Sequence, residues 1–200
     1  ELAEVLPFTS VRDYENWIAR LEGLDTYVDQ TIDLLREGMR RGLVQPCVIM
    51  NRVPAQIARQ VVPDPAASPF YAPFRKMPAS IEPADQDRLR AAGALAIEQH
   101  VLPAYLHLQS FFNDEYLPAC RDTAGMADLP NGQAWYAFNA YASTTTRRTP
   151  AQIHQTGLDE VARIHAEIRK VMQQVGFKGS LQDFFKYVNT DKKFEFASED

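Results

Sequence analysis

The clearest alternation of hydrophobic and polar positions lies between Thr149 and Val175. Thr149, Pro150 and a glutamine at the third helical position predict a capping box at its start, and Gly176 predicts its end. Apolar residues at spacings of three and four predict one buried stripe, made of Ile153, Val161, Ile164, Ile168, Val171, Met172 and Val175. We therefore expect a long amphipathic helix around which the rest of the chain packs.

The N-terminal part shows the same spacing in two consecutive segments. Ser10 predicts the start of the first helix, Gly23 separates it from the second, and Pro46 follows the second. We expect these two helices to form an antiparallel pair. The next segment, 47–52, has the local composition of a strand, but the helical spacing that continues beyond Pro54 favours a helix.

Further helical patterns occupy 84–120, 133–143 and 181–188. Pro103 predicts a kink or a short break within the first of these segments. Ser180 predicts the start of the last one, whose expected buried face consists of Leu181, Phe184, Phe185 and Val188. Together these patterns predict an all-α fold, a bundle-like array of six to eight helices.

Prolines and aromatic residues are concentrated in residues 63–83, which excludes a regular helix there. One interpretation is an ordered surface loop whose aromatic residues, Phe70, Tyr71 and Phe74, enter the helical core. The other interpretation is a wall or lid of a binding cleft. The sequence leaves both open.

Composition places the chain among globular proteins, with 46% hydrophobic and 24% charged residues. No apolar run approaches the roughly 20 residues of a membrane-spanning helix. The net charge of -5, without a basic stretch, argues against a nucleic-acid partner. Cys47 and Cys120 permit at most one disulfide and leave the redox compartment open.

Because the chain begins at Glu1 without an initiator methionine, we expect it to be part of a larger protein. Residues 1–200 would form one helical segment of that protein.

The four histidines do not form a recognisable metal motif. His154 and His165 would lie about 16 Å apart along one helix, too far to share an ion. His100 and His107 are two turns apart with Pro103 between them, so a small metal-binding protein would require the kink to bring them together. No HExxH, HxxxH or ExxH spacing occurs.

Other catalytic patterns are missing as well, since the sequence contains neither a GxSxG elbow nor a glycine-rich phosphate loop. The most promising surface for a ligand is the junction between an aromatic segment, residues 135–141, and the polar stretch STTTRR at 143–148. Consecutive threonines disfavour a helix there, so this stretch is expected to be extended. Hydroxyls, guanidinium groups and free backbone N–H groups would then meet in one place, as binding of a peptide-like ligand requires.

Several motifs occur in a characteristic order, among them RVPAQI, SPFYAPF, EYLPACR and TTTRRTPAQIHQTGLDEVARIHAEI. In this order, from about Asp13 to Asp191, the chain resembles the bacterial domain-of-unknown-function 885 family. The resemblance implies a much longer, largely helical protein similar to zinc metallopeptidases of the His-Glu-x-x-His type. Its metal-binding helix and a further glutamate ligand would lie C-terminal to the residues present here.

The resemblance therefore implies no metal ligand and no catalytic residue in this chain, with zinc expected only in the full-length protein. It also implies a periplasmic or cell-envelope location, because many members are exported or lipid-anchored. Residues that could contact a peptide-like substrate precede or begin the long helix, and they are Tyr136, Tyr141, Thr144, Thr145, Thr146 and His154.

The function predicted from these observations is that of a helical scaffold and part of the substrate cleft in a zinc-dependent peptidase-like hydrolase. This segment is not expected to be active by itself. The alternative is a non-catalytic helical module that binds an unknown partner.

Overall fold

The computed structural model describes residues 5–195, which form helices and contain no β-strand. The predicted all-α fold is thus confirmed. The chain divides into two compact units, one up to Gly132 and the other from Gln133 onward. Numbered from Val11, the α-helices of the first unit are α1 Val11–Glu22, α2 Leu24–Arg40, α3 Cys47–Met50, α4 Val53–Ala58, α5 Ala72–Arg75, α6 Pro83–Ala96 and α7 Leu102–Phe111. Those that follow are α8 Gly132–Thr144, α9 Pro150–Gln174 and α10 Leu181–Thr190.

Gly23 joins α1 to α2 without reversing the chain. Its backbone is right-handed helical, with φ -84° and ψ 0°. Its N–H donates to Ala19 O over 3.2 Å, and its carbonyl accepts from the Tyr27 N–H over 3.2 Å. The i to i−4 hydrogen bonds therefore continue through the glycine, and the predicted antiparallel pair is wrong. Glycine permits a turn but does not require one.

Helices α1 and α2 instead run beside α6 and α7 in the same direction. Two salt bridges and two aspartate–histidine hydrogen bonds connect the two stretches, and their partners advance together along both: Glu15–Arg88, Asp25–His100, Asp29–His107 and Arg36–Glu115. Parallel neighbours need a long connection between them. The residues between Arg40 and Pro83 provide that connection, and they contain α3, α4, α5 and two short 3₁₀ turns.

The proline- and aromatic-rich segment 63–83 is ordered and enters the core of the first unit. Phe74 is fully buried within the hydrophobic cluster that includes Tyr14 and Trp17. The Trp17 Nε1–H donates to the Phe70 carbonyl over 3.1 Å, and the Tyr14 hydroxyl donates to the Pro73 carbonyl over 3.3 Å. These contacts agree with the interpretation of a loop whose aromatic residues enter the core.

Two π-helical turns widen the long helical stretch that begins at Pro83. They span Ile97–Val101 and Phe112–Tyr116, and each ends two residues before a proline, Pro103 or Pro118. Proline lacks an N–H, and its ring clashes with the carbonyl four residues earlier, so a wider turn accommodates it. The structure therefore shows a local π-turn where the sequence predicted a kink or break.

A disulfide joins Cys47 to Cys120, 73 residues later. Beside it, the Cys47 N–H donates to Arg121 O over 2.8 Å, and the Arg121 N–H donates to Gln45 O over 3.1 Å. The Arg121 side chain also donates to Val44 O over 3.0 Å. The disulfide and these hydrogen bonds thus hold the ends of the segment 47–120 together. The residues Cys47–Met50 are helical, which agrees with the helix that the sequence favoured there.

In the second unit, α9 begins and ends as predicted. The Thr149 N–H donates to Gln152 Oε1 over 2.9 Å, and the Gln152 N–H donates to Thr149 Oγ1 over 3.3 Å, which closes the capping box. Gly176 adopts φ +68°, a conformation that glycine tolerates without steric cost. The N–H groups of Gly176 and Phe177 donate to the carbonyls of Gln173 and Met172, which completes a Schellman motif.

Within the described residues, most members of the predicted α9 stripe are not buried. Met172 is buried and Ile153 and Ile168 are half-buried, but the other stripe residues are exposed: Val161, Ile164, Val171 and Val175. On α10 only Phe184 is buried, whereas Phe185 and Val188 are exposed.

Within the described residues, α9 contributes to neither of the two large hydrophobic clusters, so the expectation that the chain packs around it stays a prediction. The two large hydrophobic clusters of the described residues contain only residues of the first unit. Periodicity identifies an apolar face, but it does not specify which segment covers that face.

Candidate functional site

A shallow groove of about 300 Å³ lies where the chain passes from α8 to α9. Helix α8 contributes one wall and the first turns of α9 contribute the other, with residues Tyr136, Ala140, Thr144, Pro150, Ile153 and His154. The capping box at Thr149 fixes the start of α9 and thereby places His154 in this wall.

The turn after α8 is strained. Thr145 has φ +55°, a left-handed conformation that is unusual for a β-branched residue. Its N–H donates to Tyr141 O over 2.7 Å, and its hydroxyl donates to the Thr144 carbonyl over 2.7 Å. The Thr144 hydroxyl donates to Ala140 O over 2.7 Å, so it stabilises the end of α8. The threonine-rich stretch thus begins inside α8 and then turns sharply, rather than being extended throughout.

The structure brings three of the predicted contact residues into the groove, namely Tyr136, Thr144 and His154. Tyr141, Thr145 and Thr146 do not contribute to its lining. Sequence reasoning missed Ala140, Pro150 and Ile153 as lining residues. Ile153 belongs to the apolar stripe of α9, and its spacing alone gave no sign that it would contribute to a groove.

Two polar side chains in the groove are available to a ligand. The side chains of Tyr136 and His154 form no hydrogen bond with any residue in the described range 5–195. Ala140, Pro150 and Ile153 supply the apolar part of the surface. The groove can therefore hold an apolar group of a ligand while the phenol of Tyr136 and the imidazole of His154 form hydrogen bonds with polar groups of the same ligand.

The guanidinium group of Arg148, which the sequence predicted to join the ligand surface, lies on another face of α9. The Arg148 Nη1–H donates to Thr156 Oγ1 over 2.9 Å, beside Gln152, Gln155 and Asp159. The Gln155 amide donates to Asp159 over 2.8 Å. These polar groups form a second shallow depression of about 360 Å³, so Arg148 is held away from the groove at Tyr136.

The histidines of the first unit are each bound to an aspartate. His100 Nδ1 lies 2.9 Å from Asp25 Oδ2, and His107 Nδ1 lies 3.1 Å from Asp29 Oδ1. The hydrogen bond from His100, together with the Thr26 N–H, lowers the pKa of Asp25 below its usual range. These pairs connect α2 to the π-turn and to α7, which is a structural role.

Zinc in a protein needs three or four nitrogen, sulfur or carboxylate ligands around one point. Among residues 5–195, no group of three histidine, cysteine or carboxylate side chains has that arrangement. Both cysteines are committed to the disulfide. The side chains that the structure describes therefore do not fit a zinc ion.

Within residues 5–195, no helix has the length and apolarity needed to span a bilayer.

Comparison with known proteins identifies two similarities. A family model described as "Bacterial protein of unknown function (DUF885)" matches residues 1–200. A solved structure titled "The crystal structure of the putative lipoprotein from Colwellia psychrerythraea" superposes with a TM-score of 0.78 at 22% identity. The match covers 94% of this chain and 33% of that one, so the chain spans about a third of the length of the solved protein. No curated protein matches the chain.

Proposed function

This chain belongs to the bacterial family of unknown function DUF885, and we propose that it forms helical scaffold and part of the substrate cleft of a peptidase-like hydrolase. The observation that carries this proposal is the groove between α8 and α9, which Tyr136 and His154 line together with apolar residues. The similarity of its motifs to metallopeptidase-like proteins supports the reaction class. The catalytic groups would come from another part of the protein.

The groove suits a short stretch of peptide. Each peptide residue carries one backbone donor and one acceptor, and the Tyr136 hydroxyl and His154 imidazole can satisfy such groups. Ile153, Ala140 and Pro150 offer an apolar surface to a substrate side chain. A volume of about 300 Å³ is at the lower end of ligand pockets, enough for one or two substrate residues.

Zinc enters this proposal only as a cofactor of the whole protein. The described side chains do not fit it, so the residues of this chain are assigned to binding and orientation alone. The coding sequence on either side of residues 1–200 provides a direct check. An HExxH motif in a helical stretch followed by a glutamate would support the hydrolase proposal, whereas its absence from the whole gene would contradict it.

The groove can be tested by kinetics of the gene-encoded protein on a mixture of unstructured peptides, with cleavage followed by mass spectrometry. We expect Tyr136→Phe and His154→Ala each to raise KM by about 3- to 10-fold, because each removes about one hydrogen bond to the substrate. The kcat value should change little, since neither side chain is assigned to the chemical step.

Phe138→Ala is a matched control, because Phe138 is an exposed aromatic residue of α8 that does not line the groove. Its KM should equal that of the wild type. Unchanged KM in both groove variants would contradict the assigned contacts, and absence of any peptide cleavage by the intact protein would contradict the reaction class.

A cell-envelope location accompanies this proposal. Disulfides persist mainly in oxidising compartments, and this fold contains one between Cys47 and Cys120. The similar solved structure is described as that of a "putative lipoprotein", which supports such a location.

A second candidate function is a non-catalytic binding module. It is favoured by aromatic residues of α8 that are exposed, because aromatic side chains are enriched where proteins bind partners. These residues are Trp135, Tyr136, Phe138 and Tyr141. Under this alternative, Phe138→Ala would weaken partner binding as much as Tyr136→Phe. The two functions are separated because the hydrolase proposal predicts peptide cleavage that Phe138→Ala leaves unchanged, whereas the alternative predicts no cleavage and weaker partner binding in that variant.

A further inference from the structure

Helix α9 carries a regular seam of apolar positions that the proposed cleft does not use. From Gly157 to Val175 its members alternate at spacings of four and three, and they are Gly157, Val161, Ile164, Ile168, Val171 and Val175. This alternation is the a/d pattern of a helix that packs lengthwise against another helix. With a rise of 1.5 Å per residue, the seam extends about 27 Å.

Most of the seam is uncovered in the described part of the chain. Val161, Ile164 and Val171 are 51%, 45% and 46% exposed, and Val175 is 62% exposed. Helix α10 packs near the C-terminal end of α9, where Met172 is buried, and Ile168 is only half-buried. Leaving such a continuous apolar stripe in water is unfavourable, so the seam is suited to a covering element.

The polar face of α9 has the opposite character. Arg163 pairs with Glu160 over 2.8 Å, and Lys170 pairs with Glu167 over 2.8 Å. These pairs satisfy each other within the helix and need no partner. The charged face is therefore the solvent face, and the covering element belongs on the seam.

Gly157 is an independent indication of an occupant. It lies in the interior of α9, where glycine is less favourable than alanine. A Cβ built there would meet nothing within 4 Å in the described structure, and its backbone is not in the positive-φ region. No contact in this structure thus requires a glycine. Its lack of a side chain would instead allow the backbone of another helix to approach closely.

We propose that this seam binds an α-helix from a further segment of the same polypeptide, lying within about 20° of the α9 axis and approaching most closely at Gly157. The occupant is assigned to the same polypeptide because this chain covers only 33% of the similar solved protein, which leaves most of that protein to supply a covering helix. The all-α fold makes a helix the expected element. This inference does not depend on the proposed cleft.

The sign of one substitution tests the proposal. In the gene-encoded protein, Gly157→Ala should lower Tm by about 1–2 °C, because the added methyl group separates two closely packed helices. Were the seam uncovered, the same change would raise Tm by about 1 °C through helix propensity. Gly23→Ala is the matched control, since its backbone is right-handed helical and a Cβ there meets only ordinary contacts of 3.6 Å or longer; its Tm should be unchanged or slightly raised.

Crosslinking of the otherwise wild-type protein identifies the occupant even if the alanine variant does not fold. A photo-crosslinking phenylalanine derivative placed at Ile164 should form an intramolecular link to a peptide outside residues 1–200. The same derivative at Arg163, on the charged face, should form no such link. Links from position 164 to a second copy, to another protein or to residues within 1–200 would overturn the proposal, as would a gene that encodes only these residues.

Discussion

At the scale of single residues, Gly93 of α6 packs tightly against the ring of Phe74. A Cβ placed on Gly93 would lie 2.5 Å from Phe74 Cζ, well inside the contact distance. Phe74 is fully buried and contacts the rings of Tyr14 and Tyr71, so it has little freedom to move. Gly93 is therefore required by a close approach rather than by its backbone conformation.

Gly93→Ala should consequently destabilise the first unit by about 1–3 kcal/mol, since overpacking outweighs the gain in helix propensity. Urea unfolding followed by the fluorescence of Trp17 measures this change, in a Trp135→Phe background that leaves Trp17 as the sole tryptophan. A second substitution, Phe74→Leu, should recover part of the loss by freeing space. An unchanged midpoint in Gly93→Ala would contradict the packing described.

At the scale of elements, three helices begin with reciprocal capping boxes. Their cap residues are Ser10, Thr149 and Ser180. In each helix, the side chain at the third helical position accepts a hydrogen bond from the backbone N–H of the cap residue, and these side chains are Asp13, Gln152 and Asp183. The sequence predicted all three helix starts, because the cap and its partner are separated by only three residues.

The cap of α1 gives the chain a predictable response to acid. The Thr9 N–H, followed by the Ser10 hydroxyl and N–H, lowers the pKa of Asp13. A lowered pKa in the folded state means that the ionised cap stabilises the fold above the unfolded pKa of about 3.9. This stabilisation is lost as the pH falls through the folded pKa.

Asp13→Asn should therefore be less stable than the wild type at pH 7, and this difference should shrink as the pH falls below about 3.9 and through the folded pKa, because the wild-type cap then becomes protonated as well. Urea unfolding followed by circular dichroism at pH 7 and at a series of acidic pH values provides the comparison. Glu22→Gln, at the other end of the same helix, is the control at pH 7 and should change the free energy of unfolding little, since no hydrogen bond or ion pair in the described structure involves that side chain. A constant Asp13→Asn difference would refute the assigned role.

At the scale of the whole molecule, the disulfide links two ends of a long segment in the first unit. Cys47 and Cys120 are separated by 73 residues, so the crosslink removes much of the freedom of the unfolded chain. The backbone hydrogen bonds between Cys47 and Arg121 then add direct contacts beside it.

Removing the disulfide by the double substitution Cys47→Ala and Cys120→Ala should lower the free energy of unfolding by about 2–4 kcal/mol. Reduction of the wild type should reproduce most of this loss, while the double variant should not respond to reductant.

Thiol labelling of protein trapped in acid directly from cells should find no free thiol at Cys47 or Cys120 if the protein resides in an oxidising compartment. Two labelled thiols would contradict the envelope location.

Some features of the fold depended on neighbours in sequence, and these could be predicted. The bounds of α9 followed from Thr149, Gln152 and Gly176, whose hydrogen bonds all lie within a few residues of one another. In the candidate site, the sequence named Tyr136 and His154 as possible ligand contacts, and both line the groove, while their contact with a ligand stays a prediction.

Other features depended on distant segments, and these were missed. The parallel course of α1 and α2 beside α6 and α7 arises from pairs such as Asp25 with His100, which are 75 residues apart. Likewise, Ile153 joined the groove lining through the placement of α8.

The sequence by itself therefore determined the all-α class, the helix ends, the family and the amphipathic character of α9, because each is encoded in local order. Only the tertiary structure decided the direction of the helix pairs, the pairing of the cysteines and which apolar faces are covered. Those outcomes depend on contacts between residues far apart in sequence, and local periodicity carries no information about the partner that a face will meet.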